Sequence, residues 1–97
     1  MRIPIPASTQ ARQRPTRISH LQRKRNAKLQ LFDPVTLFIA NKEQDLLSLD
    51  AVGNPQRGFK VTGPMAAPMD FLAIDGLKEI WVTCNQQTEI EYEEWPI

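Results

Sequence analysis

The segment Thr88-Glu89-Ile90-Glu91-Tyr92-Glu93-Glu94-Trp95 puts Ile90 and Tyr92 on one side of an extended chain and Glu89, Glu91 and Glu93 on the other. A period of two marks a strand with one face in a core and the other in water. The preceding stretch, Lys78-Glu79-Ile80-Trp81-Val82-Thr83-Cys84, follows the same rule, with Ile80, Val82 and Cys84 alternating against Trp81 and Thr83. Asn85-Gln86-Gln87 separates the two as a polar turn. Phe71-Leu72-Ala73-Ile74 is a further strand, and the Asp75-Gly76 that follows it suits a tight type I′ hairpin turn.

Working upstream, Phe59-Lys60-Val61-Thr62 reads as a strand closed by Gly63-Pro64. The stretch Pro64-Met65-Ala66-Ala67-Pro68 cannot be a central strand, because its prolines donate no ladder hydrogen bond. Gly53-Asn54-Pro55-Gln56-Arg57-Gly58 is a loop. Val35 to Ala40 and Leu46 to Leu49 read as two more strands around polar Asn41-Lys42-Glu43-Gln44, although Glu43 to Leu47 also suits one helical turn. The expected fold is mostly β: a small antiparallel β-sandwich or barrel of about five to six short strands over residues 29–97.

Charge divides the chain at residue 28. Residues 1–28 hold eight of the twelve Lys and Arg and no acid; residues 29–97 hold four cations and all eleven Asp and Glu. Arg2, Arg12, Arg14, Arg17, Arg23, Lys24, Arg25 and Lys28 are interleaved with Ser8, Thr9, Gln10, Gln13, Ser19, Gln22 and Asn26, without an aromatic residue. Such a segment buries too little apolar surface to offset its chain entropy. It is therefore expected to be an extended basic N-terminal arm, with Thr16 able to cap a short helix carrying Ile18, Leu21, Arg25 and Leu29 on one face. Three roles are open to it: a solvated tail, a sequence-tolerant nucleic-acid contact through Arg12, Arg14, Arg17, Arg23, Lys24, Arg25 and Lys28, or a strap across neighbouring subunits.

Composition excludes several classes. Cys84 is the only cysteine, so there is no internal disulfide and no Cys-rich zinc site. His20 is the only histidine and lies among arginines, so no metal is expected. No cofactor motif is present: Gly53 to Gly58 lacks the lysine and the strand–helix setting of a phosphate loop. Cys84 has no histidine in the body to activate it and reads as a small buried hydrophobe. No catalytic residue is assigned and no enzyme activity is expected. There is no signal-peptide core and no apolar run long enough for a membrane span, so synthesis inside a cell is the expectation.

Glu89, Glu91 and Glu93 read as a solvated sheet face or as a receiving surface for a neighbour's basic arm. Trp81 and Trp95 read as core or interface residues. A body of about 69 residues buries roughly 60% of its unfolded surface, which favours docking on a partner.

The whole arrangement, an arm rich in Arg, Gln and Pro before a compact β domain, resembles small structural proteins of tailed bacteriophage virions. Ile74 to Cys84, followed by a polar turn and Thr88 to Tyr92, looks like their closing hairpin. The resemblance implies a minor capsid, cement or head–tail component in the virion. Its partners would be coat or connector protein, copies of itself and packaged nucleic acid. The alternative from the residues is a nucleic-acid-binding module, such as a small ribosome-associated protein with an RNA-threading tail. On either reading the arm is separable from a body that folds without it.

Overall fold

The computed structural model describes residues 1–9, 11–51 and 54–97. Gln10 of the expected arm and Gly53 of the expected loop lie outside the described residues. Eight strands form two four-stranded sheets packed as a sandwich. They are β1 (Arg2–Ile5), β2 (Thr16–Arg17), β3 (Arg25–Leu31), β4 (Thr36–Ala40), β5 (Phe59–Thr62), β6 (Met69–Ile74), β7 (Trp81–Cys84) and β8 (Thr88–Pro96). The first sheet has the order β1-β8-β3-β6 and the second β2-β7-β4-β5, with every pairing of these strands antiparallel.

The sandwich is as expected, but its border is not. The described part of residues 1–28 is woven into both sheets: β1 pairs with β8, β2 with β7, and residue 28 falls inside β3, which lies between β8 and β6. No helix follows Thr16; Thr16 and Arg17 pair with Val82 and Trp81. A free arm of 28 residues would reach on the order of 90 Å, whereas the longest dimension of the molecule is 40 Å.

The reason is a period-two pattern beneath the charges. In β3, Ala27, Leu29 and Leu31 face the core while Asn26, Lys28 and Gln30 face outward. In β1, Ile5 is fully buried and Ile3 packs on the core, alternating with Arg2 and Pro4. The proline is tolerated because β1 is an edge strand. Ile5, Ile18, Leu29, Leu31, Leu37, Ile39, Ile80, Val82, Ile90 and Tyr92 form one buried cluster across the two sheets.

Two expected hairpins are crossings between sheets. β6 and β7 belong to different sheets, so the turn at Asp75-Gly76 carries the chain across the sandwich. Asp75 accepts the Lys78 N–H on its carbonyl at 3.0 Å and the Leu77 N–H on Oδ1 at 2.9 Å. Gly76 packs closely here, since a Cβ there would lie 3.1 Å from the Arg23 Cα. Asn85 to Gln87 likewise joins β7 in one sheet to β8 in the other, so the pair is not a closing hairpin. The strand expected over Leu46 to Leu49 is replaced by a 3-10 helix, Glu43–Leu46, which tucks Leu46 into the interior.

These placements reverse the expected effect of truncation. Removing residues 1–28 deletes β1, β2 and half of β3, including buried Ile5 and Ile18. Two fully buried isoleucines contribute about 1.5–3 kcal/mol each, against a net stability of roughly 5–15 kcal/mol for a whole domain. The fragment 29–97 should lack a cooperative denaturant transition and native near-UV circular dichroism. A cooperative transition in that fragment would show the N-terminal strands to be dispensable.

Candidate functional site

The chain brings its most unusual chemistry together where β3 begins and β8 ends. Arg25 occupies an inward position of β3 and is 0% exposed. Its guanidinium donates from Nη1 to the carbonyls of Arg23 and Asp75, each at 3.2 Å, and from Nη2 to that of Lys78 at 2.7 Å. Its Nε lies 3.6 Å from Glu94 Oε1 and has no hydrogen-bond partner. Glu94 in turn accepts the backbone N–H of Leu21 at 2.8 Å and of His20 at 3.2 Å, together with the Tyr92 hydroxyl. Burial pushes the Glu94 carboxyl upward, but the Tyr92 hydroxyl and the backbone N–H groups of Leu21 and His20 together hold it below the usual carboxylate range. The Tyr92 hydroxyl is pushed up, by burial first and by its bond to Glu94 second.

The cations expected to act together are dispersed. Arg12 and Arg14 are exposed on the segment between β1 and β2, where Arg14 shares a hollow with Pro4 and Gln87. Arg17 pairs with Glu79 at 3.2 Å. Arg23 and Lys24 are exposed just before β3. Lys28 is exposed on the outer face of β3, in register between Asp70 of β6 and Glu93 of β8. Arg25 is a correction to the expected partner contacts: enclosed by three carbonyls and a carboxylate, it is unavailable to any partner.

The acidic face is present and partly paired. Glu89, Glu91 and Glu93 point outward from β8. Arg2 Nε lies 3.1 Å from Glu91, whose carboxyl is held low first by the Met1 amino group, 2.6 Å away. The start of the basic segment thus meets Glu91 within one molecule, while Glu89 and Glu93 stay exposed. Trp81 is half-buried and donates from its indole to Glu79 at 3.1 Å, the first cause of a lowered Glu79 carboxyl. Trp95 is exposed on β8. Cys84 is buried, and burial pushes its thiol up, away from a nucleophile's thiolate.

A second feature was not foreseen. β5 and β6 are the outer strands of the two sheets on the same flank. Between them runs a mainly apolar cleft of about 330 Å³ lined by Ile39, Phe59, Met69, Phe71, Ile74 and Ile80 among others. Phe59 is 61% exposed at this cleft, and Leu72, 76% exposed, points outward from β6 and does not line it. No group of His, Cys, Asp and Glu suited to a metal ion occurs among the described residues. Nor is any of their helices long and apolar enough to cross a membrane. No protein family, curated protein or solved structure matches this chain.

Removing one member of a buried ion pair strands the other without solvent, at a typical cost of about 3–5 kcal/mol. Arg25→Ala and Glu94→Ala should each approach that loss in urea denaturation, while Glu89→Gln on the exposed face should stay within about 0.5 kcal/mol. Equal effects at the three positions would refute the clasp. Because the folded carboxyl of Glu94 lies below its unfolded value, its stabilisation is complete above the ordinary carboxylate pKa and is lost as pH falls through the depressed value. Stability of the parent chain should therefore fall on acidification through that range. In Glu94→Gln this part of the pH dependence should disappear.

Proposed function

We propose that this chain is a non-enzymatic structural subunit of a virion. It would be a capsid cement, minor capsid or head–tail component that packs against coat or connector protein and against copies of itself. The observation that carries the reading is the open flank between β5 and β6. Among the described residues both outer strands leave one backbone edge without a strand partner there; Phe59 stands in solvent at the apolar cleft, and Leu72 is exposed on the outward side of β6. Monomeric proteins protect such edges, because an unpaired edge beside apolar side chains invites another chain. A subunit that spends its life against neighbours does not need that protection. The opposite flank is different. There the chain crosses from β1 to the second sheet, with Ser8 N–H bonded to the Cys84 carbonyl at 2.8 Å.

The assembly role differs in one respect from the strap suggested by composition. The basic segment is engaged within its own sandwich, so attachment falls to the flank. The alternative of an RNA-threading tail loses its free tail for the same reason, and only exposed loop cations remain for nucleic acid.

Sedimentation of the purified full-length chain should show mass rising with concentration. Phe59→Ser combined with Leu72→Ser should leave a monomer with an unchanged circular dichroism spectrum, and should lower incorporation into particles. A parent chain that stays monomeric and incorporates as well as the double variant would overturn the reading.

A further inference from the structure

The buried Arg25 does more than fill a gap in the core. Its three carbonyl acceptors belong to the turn before β3 and to the turn between β6 and β7, so one guanidinium fastens the two turns side by side. Gly76 lying against the Arg23 backbone closes the join. The side chains this arrangement sends outward are mostly cationic. Arg23, Lys24 and Lys78 are exposed, and none has an acid within ion-pairing distance among the described residues. Arg17, His20 and Lys78 line a hollow of about 330 Å³ between the turns, together with Ser19, Gln22, the carboxylate of Glu79 and the apolar Leu21 and Leu77; Arg23 and Lys24 stand outside it.

We infer that this end of the sandwich is a contact surface for the phosphate backbone of a nucleic acid. Clustered cations on exposed turns neutralise phosphates and release their counterions. Serine, glutamine and backbone N–H groups are the usual accompanying donors to phosphate and sugar. The acids in the neighbourhood reduce the charge without closing the surface. Glu79 is held by Arg17 and Trp81, Asp75 receives the Leu77 N–H, and Glu94 is inside. Leu77, 94% exposed at the tip of its turn, is the one prominent apolar group. No Phe, Tyr or Trp lines the hollow, so bases have nothing to stack on and binding is indifferent to sequence. An acidic protein partner is the less favoured occupant, because the three unpaired cations are spaced along exposed turn tips rather than gathered around the apolar part of the hollow. The inference rests on these two turns and stands apart from the open flank and the virion reading.

The test is fluorescence anisotropy of the full-length chain with a short labelled duplex of scrambled sequence. Three unpaired cations, Arg23, Lys24 and Lys78, give a log–log salt slope of about −2.7, or roughly a fortyfold loss of affinity between 50 and 200 mM salt. The variant Arg23→Glu/Lys24→Glu/Lys78→Glu keeps Arg25 and the fold, checked by circular dichroism, and should flatten the slope to about zero. Arg12→Glu/Arg14→Glu changes the same kind of residue on the β1–β2 segment, away from the hollow, and should leave binding within about twofold. Absence of binding at 50 mM salt, or equal losses in the two variants, overturns the inference. Tighter binding of polyglutamate than of DNA reassigns the surface to an acidic protein and overturns it equally.

Discussion

The sandwich depends on a charge that water cannot reach. A guanidinium taken into a protein interior carries a desolvation cost of several kcal/mol, recovered only when its donors and its charge are met by the protein. Arg25 meets three carbonyls and the carboxylate of Glu94. Glu94 is supplied by two backbone N–H groups and a tyrosine hydroxyl. Four segments of the chain therefore meet at one point: the β2–β3 turn, β3, the β6–β7 turn and β8. With no disulfide available and a small core, this network specifies which turn sits beside which.

The opposed charges of the two parts of the sequence are resolved inside one molecule. β8 carries the glutamates, and its two neighbours, β1 and β3, come from the basic segment or straddle its border. Arg2 and the Met1 amino group meet Glu91 from one side, and Lys28 stands beside Glu93 from the other. Composition invited a picture of two bodies attracting one another between molecules. The register shows the same attraction acting between adjacent strands of one sheet. What remains for partners is the set of side chains left over after this internal pairing, on turns rather than on a tail.

Much of the fold was legible because its β pattern is conventional in the later two thirds. β5 was read with its observed bounds, and β4, β7 and β8 within a few residues. The errors cluster in the first third and have a common cause. Arg25 opens β3 at a core-facing position, so the alternation of Ala27, Leu29 and Leu31 looked like scattered apolar residues in a basic tract. The signal was present, but a burial pattern that begins with arginine is legible only once its acceptors are known. Those acceptors are carbonyls of residues 23, 75 and 78, which no side-chain pattern announces. Glu89, Glu91 and Glu93 lie on the expected outer face of β8, whereas nothing in the sequence sets apart Glu94, whose carboxylate is enclosed. The open flank was illegible for a different reason: it follows from strand order, and Asp75-Gly76 looked like a hairpin that would have paired β6 with β7.

The position of β8 has a consequence for how the chain is made. The last strand of the sequence is an interior strand of its sheet, seated between β1 and β3. Synthesis delivers residues at about 5–20 per second, N-terminal first. β1 and β3 therefore wait outside the ribosome for several seconds with their β8-facing edges unfilled. During that interval the Arg25 side chain has its chain neighbours but not Glu94, and sheet formation cannot run stepwise from the start of the chain. The sheet closes when β8 arrives, and a chain lacking β8 keeps the other described strands yet loses the one that joins β1 to β3.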